Sequence, residues 1–237
     1  MSEMNIEQAR LNMIEHHIRP WEVLDQNVLD LLYAVKREDF VPPAYRLLAF
    51  SDLEVPLGQG ERMWQPKLEA RVLQELAVQP TDRVLEIGTG SGYFAALLAQ
   101  RAQHVYSVEI HAELKASAEA NLRRAGVDNV TVELGDGALG WTKHAPYDII
   151  VLTGSTPVLP QQLLQQMKSG ARLFAVVGNP PVMAARLTTC TSEGVFNSID
   201  LLETRIAPLT NALAGERFEL LLQSSNLRGG HEVYSAL

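Results

Sequence analysis

The stretch "VLEIGTGSGYF", Val84–Phe94, decides the fold. An apolar strand pattern starting at Arg83 runs into three alternate glycines, Gly88, Gly90 and Gly92, and then into the helical pattern "GYFAALLAQRA". Glycines between a strand and a helix let the backbone approach a ligand closely, and the helix N-terminus offers amide donors and a favourable dipole. Gly88 and Gly90 fit the first two positions of the dinucleotide fingerprint, but its third glycine falls on Tyr93, which argues against NAD or FAD.

Downstream the same alternation continues. "HVYSVEI" reads as a strand, "AELKASAEANLRRAG" as a helix, and "VTVELGDG" and "YDIIVLTG" as strands. "LPQQLLQQMKSG" is expected to be a helix and "ARLFAVVG" a strand. Near-continuous apolar strands alternating with amphipathic helices imply a parallel sheet covered on both faces. "ARLTTCTSEGVFNSIDLLETRIAPLT" and "ERFELLLQS" read as further strands, an antiparallel edge of the same sheet, while "NALAGER" and "NLRGGHEVYSAL" read as a loop and a frayed terminus.

Upstream, a helix is expected from Asn5 to about Ile18, ended by Arg19-Pro20. A second follows Asp25 as its cap, with Val28, Leu29, Leu32 and Val35 on one face. From Phe40 to Pro66 four prolines and two glycines predict an irregular wrapping segment, and Pro66 opens a helix with a stripe at Leu68, Val72, Leu73 and Leu76. Residues 1–60 thus read as a helical extension with a wrapping loop, and 61–237 as one compact ligand-binding domain.

Composition narrows the function. The 237 residues, 46% apolar and 20% charged, can bury a substantial core. A net charge of −8 without a basic run disfavours nucleic acid as a partner. No apolar run is long enough to span a bilayer, and the N-terminus lacks a signal-peptide pattern, so no membrane partner is expected. The one cysteine, Cys190, rules out an intramolecular disulfide and suits a reducing cytoplasm; it reads as an inert edge-strand residue. His16, His17, His104 and His144 lack metal-ligand spacing, so no metal is expected.

Three acids sit at strand ends, where open α/β sheets bind ligands. Glu86 closes the first strand, Glu109 follows Gly88 by 21 residues, and Asp136 follows the third strand. Glu109 can accept from both hydroxyls of a ribose, Asp136 from an adenine amino group, and Glu86 can meet an amine. Together they describe a site for a nucleoside without pyrophosphate, such as S-adenosylmethionine, with S-adenosylhomocysteine as the product.

With those residues in place, the chain from about Met13 to Thr210 resembles the protein-L-isoaspartate O-methyltransferases. The resemblance rests on "VKREDFVPPAYRLLAFSDLEVPLGQG" (Val35–Gly60), "GDGALGWTKHAPYDIIVLTG" (Gly135–Gly154) and "IAPLT" (Ile206–Thr210). It implies a doubly wound, mostly parallel seven-stranded sheet of the Rossmann-like class I methyltransferase type, in the α/β class, with an N-terminal helical extension. It implies methyl transfer to the free α-carboxylate of isoaspartyl residues in damaged proteins. It also implies cofactor contacts at Glu86, Gly88, Thr89, Gly90, Ser91, Gly92, Glu109, Ile110, Asp136, Gly137 and Thr210.

The acceptor region, Met63, Trp64, Gln65, Glu69, Thr153 and Gly154, departs from the family at two places. Family members carry Thr-Ile-Ser before a residue and a proline; aligned on Pro66, this chain has Arg62-Met63-Trp64, so the serine bordering the reacting carboxylate is Trp64. Relatives of the eukaryotic type have a histidine where this chain has Glu69. Trp64 either lines the pocket or packs into the core. Three functions follow: isoaspartyl methylation of a protein or peptide, methylation of another, small-molecule or protein acceptor on the same fold, and cofactor binding without transfer.

Overall fold

The structure, a computed structural model, describes residues 3–213. Chain order is α1 (Glu3–Met13), α2 (Gln26–Ala34), β1 (Val55–Gly58), β2 (Glu61–Met63), α3 (Pro66–Leu76), β3 (Arg83–Ile87), α4 (Tyr93–Ala99), β4 (His104–Glu109), α5 (Ala112–Arg124), β5 (Val130–Leu134), β6 (Tyr147–Leu152), α6 (Gln161–Leu164), β7 (Met167–Asn179), β8 (Val182–Ser192) and β9 (Val195–Glu203). A π-helical turn, Ile14–Ile18, extends α1 toward Pro20. The Asp25 side chain caps α2 by accepting from the Asn27 N–H at 2.9 Å.

One seven-stranded sheet has the order β5-β4-β3-β6-β7-β8-β9. β5, β4, β3, β6 and β7 pair in parallel, whereas β7, β8 and β9 form an antiparallel meander. The expected sheet and its antiparallel edge are both present. The chain runs outward from β3 through β4 to β5, then returns to the other side of β3 at β6, so a topological switch point lies between β3 and β6. A crevice opens there at the carboxyl ends of the strands.

The N-terminal helices share the sheet's core. Met13, Ile14, Leu29 and Leu32 belong to the same buried apolar cluster as Val84, Leu97, Val105 and Phe174. Two buried guanidinium groups tie this layer down: Arg10 donates to Glu38 at 2.5 Å, and Arg37 donates to Glu69, to the Trp64 carbonyl at 2.6 Å and to the Ala49 carbonyl at 2.9 Å.

Three expectations change. The helix read over Leu159–Gly170 is a single turn, α6, because the chain from Met167 already pairs with β6 at Tyr147. The irregular segment before Pro66 contains a hairpin, with β1 and β2 antiparallel and Val55 opposite Met63; its strands are too short for an alternation signal. Cys190 lies buried in β8, which β9 covers, and so is not on the edge strand. The strand read over Glu216–Ser224 and the terminal loop after it lie outside the described residues. No helix among the described residues is long and apolar enough to cross a membrane.

Candidate cofactor and acceptor site

The crevice at the switch point is a pocket of about 940 Å³, counting its open mouth. The loop after β3 forms one wall because its glycines have room for nothing else. Gly88 sits at φ 96°, and a Cβ there would collide with the Thr153 hydroxyl; Gly90 sits at φ 54° against Leu57. The end of β4 and the residue after it contribute Glu109 and Ile110, the loop after β5 contributes Asp136 and Gly137, and the loop after β6 contributes Thr153 and Gly154. Residues Ile206–Thr210 return across the opening, pinned where the Leu209 N–H donates to the Ser155 carbonyl at 2.9 Å.

Glu86 is fully buried. Its Oε2 accepts from the Ser107 hydroxyl at 2.5 Å, and that hydroxyl lies 2.6 Å from the Thr89 hydroxyl. Its Oε1 has no hydrogen-bond partner among the described residues. Burial pushes the carboxyl up to about 8; the Ser107 hydrogen bond opposes this, and the nearby Glu109 and Glu69 charges add to it. An orphaned carboxylate oxygen at that depth calls for a cationic donor.

Glu109 and Asp136 are fixed by backbone donors. Glu109 accepts from the Gly90 N–H at 2.9 Å and the His111 N–H at 3.0 Å, one on each oxygen, leaving lone pairs on both. Asp136 accepts from the Ala138 N–H at 2.9 Å and the Asn211 side-chain amide at 2.8 Å. Among the described residues six acids line the pocket, Glu54, Glu61, Glu69, Glu86, Glu109 and Asp136, against one base, Arg62. Such a field favours a positively charged ligand. The orphaned Glu86 oxygen, the glycine cradle and the excess of carboxylates fit S-adenosylmethionine, which carries an ammonium and a sulfonium and no phosphate.

The far end of the pocket is aromatic. Trp64 is 6% exposed; its ring lies 5.5 Å from that of Phe94 and 6.0 Å from that of Phe174, centroid to centroid. It therefore packs into the core and lines the pocket at once. Glu69, one turn into α3, faces the pocket with its carboxylate bound to Arg37, and burial raises it to about 8 against the pull of that guanidinium. Arg37 also lies over the Tyr93 ring, 5.1 Å from its centroid.

Of the residues singled out from sequence, Met63, Trp64, Glu69, Thr153, Gly154 and every expected cofactor residue but one line this pocket. The exceptions are two. Gly92 is the N-cap of α4 at φ 83°, where a Cβ would meet Ala118 and Leu122 of α5, and it is not among the residues that line the pocket. Gln65 is the N-cap of α3 and does not reach the pocket. Sequence reasoning missed Arg37, Ser107, Phe94 and Leu57. Ser107 had a readable signal, a polar residue two before Glu109 in an apolar strand; Arg37, in a charged run, had none.

Comparison with known proteins agrees with this geometry. The model of the protein-L-isoaspartate(D-aspartate) O-methyltransferase family matches residues 8–214. A protein-L-isoaspartate O-methyltransferase of Vibrio atlanticus is 37% identical over 209 residues, covering 88% of this chain and 97% of the relative. A solved structure of a protein-L-isoaspartate O-methyltransferase superposes with a TM-score of 0.71 at 26% identity, over 86% of this chain and 65% of that one. A second, from Plasmodium falciparum in complex with S-adenosyl-L-homocysteine, shares the fold at a TM-score of 0.73 and 16% identity, over 86% and 97%. The chain belongs to the protein-L-isoaspartate(D-aspartate) O-methyltransferase family.

Proposed function

We propose that this protein methylates the free α-carboxylate of isoaspartyl residues in damaged proteins, using S-adenosylmethionine, in a reducing cytoplasm. The observation that carries the reading is Glu86, a buried carboxylate with an orphaned oxygen at the switch-point pocket of a chain from this family. In this assignment Glu86 holds the amino group of the cofactor, Glu109 its ribose hydroxyls and Asp136 its adenine edge. The Gly88–Gly90 turn gives the backbone clearance, and residues 1–60 roof the site through Glu54 and Leu57.

When bound, S-adenosylmethionine supplies an electrophilic methyl group on sulfonium. A carboxylate acceptor is ionised at neutral pH, so none of the chain's residues has to act as a general base. Their work is to align the acceptor and exclude water. Trp64 and Phe94 form an apolar wall, and the Arg37 clamp on the Trp64 carbonyl and on Glu69 fixes the start of α3. Replacing the family serine with Trp64 removes a hydroxyl contact of about 0.5–1.5 kcal/mol, which slows the reaction without changing its mechanism.

The test is transfer of labelled methyl to an isoaspartyl peptide beside its aspartyl twin. Selective, base-labile labelling of the isoaspartyl peptide is expected. Labelling of a cell extract but of neither peptide would move the acceptor to another molecule; no labelling at all in the presence of bound cofactor would leave a binding protein.

A further inference from the structure

The pocket that suits a cationic cofactor must still admit an anionic acceptor, and its wall has two donors with nothing to bind. Arg62, on β2, is exposed at the pocket and is the one cationic residue among those described that line it. Among the described residues its side chain has no ion-pair partner; neighbouring Glu61 faces His111 instead, at 3.5 Å. Two residues on, the Trp64 indole Nε1 is buried and has no hydrogen-bond partner among the described residues.

Arg62 lies in β2 and Trp64 in the two-residue link between β2 and α3, and both line the pocket. A guanidinium and an indole N–H both only donate, and a carboxylate is the side-chain or terminal group that only accepts. Of the acids nearby, Glu69 is held by Arg37, and neither it nor Glu86 accepts a hydrogen bond from these two donors. An unmatched buried donor is costly unless a partner arrives with the ligand.

We infer that Arg62 and the Trp64 indole N–H bind the acceptor carboxylate, in place of the serine hydroxyl that family members carry at position 64. This rests on the isoaspartyl reading above. Arg62 is a positioning residue: it offsets the repulsion of the rim carboxylates Glu54 and Glu61 and orients the acceptor, and Trp64 supplies the fixed hydrogen bond behind it.

The experiment compares wild type with Arg62→Gln, Arg62→Lys and Trp64→Phe. It reads KM and kcat for the isoaspartyl peptide, calorimetric affinity for S-adenosylhomocysteine, and peptide binding to the protein loaded with S-adenosylhomocysteine. Arg62→Gln should weaken peptide binding and raise KM about tenfold, with affinity for S-adenosylhomocysteine unchanged, as fits loss of a charge-assisted contact. Arg62→Lys should recover part of the loss, and added salt should erode the wild-type advantage. Trp64→Phe keeps a ring and removes the N–H, so its peptide affinity should fall several-fold. Equal peptide binding by wild type and Arg62→Gln overturns the inference, as does no binding by wild type. Wild-type binding without turnover overturns the isoaspartyl methylation reading alone, and the Arg62 comparison then still decides the site.

Discussion

Glu86 couples cofactor binding to a proton. Burial holds its carboxyl near 8 in the ligand-free protein, and a cationic amine at Oε1 favours the ionised form, lowering that value. Binding near neutral pH therefore releases a proton, and affinity should rise with pH until about 8 and then level off. Calorimetry in two buffers of different ionisation enthalpy reads this directly; Glu86→Gln should remove the buffer dependence and weaken binding by about 1.5–3 kcal/mol. Glu109→Ala should cost a similar amount, and unchanged affinity would remove the ribose assignment. Glu86, Glu109 and Asp136 were legible in sequence because a strand end fixes where an acid points. Arg37 was not, because its partners Ala49, Trp64 and Glu69 come from later segments that only the folded chain brings to it.

The elements around the site separate ligand contacts from packing. Gly92→Ala would put a Cβ 3.3 Å from both Ala118 Cβ and its carbonyl, at a positive φ, so it should destabilise the protein by about 1–3 kcal/mol. Cofactor affinity should stay unchanged below the melting range, whereas a residue in the ligand wall would lose both. Arg37→Met should cost about 3–5 kcal/mol in urea denaturation because it leaves Glu69 buried without its partner, and adding Glu69→Gln should restore part of the loss. The glycine turn and the helix after it could be read locally. The β1–β2 hairpin and the one-turn α6 could not: β1 is held by pairing with β2, and β7 claims residues whose local pattern suits a helix.

At the scale of the molecule, buried and surface acids set opposite limits on stability. Glu86 and Glu69 are both raised to about 8, so their contribution is fully present below the ordinary carboxyl value of 4.5 and is lost as pH rises through about 8. Glu133, although burial pushes it up, is drawn down to about 2 by hydrogen bonds from His144, Lys143 and Trp141; its contribution is present above 4.5 and lost as pH falls toward 2. Urea denaturation of the ligand-free protein should therefore show greatest stability near pH 4.5, falling as pH rises toward 8 and as it drops toward 2. The parallel sheet and its switch point followed from strand and helix alternation, since that order leaves few topologies. The sharing of one core by the N-terminal helices and the sheet did not, because a helix's apolar stripe does not say which partner it meets. The most direct measurement is a crystal structure with S-adenosylhomocysteine and an isoaspartyl peptide. The cofactor amine is expected on the free oxygen of Glu86, the ribose on Glu109 and the peptide carboxylate between Arg62 and Trp64. A cofactor bound away from Glu86, or a peptide excluded from the Trp64 wall, would contradict the account.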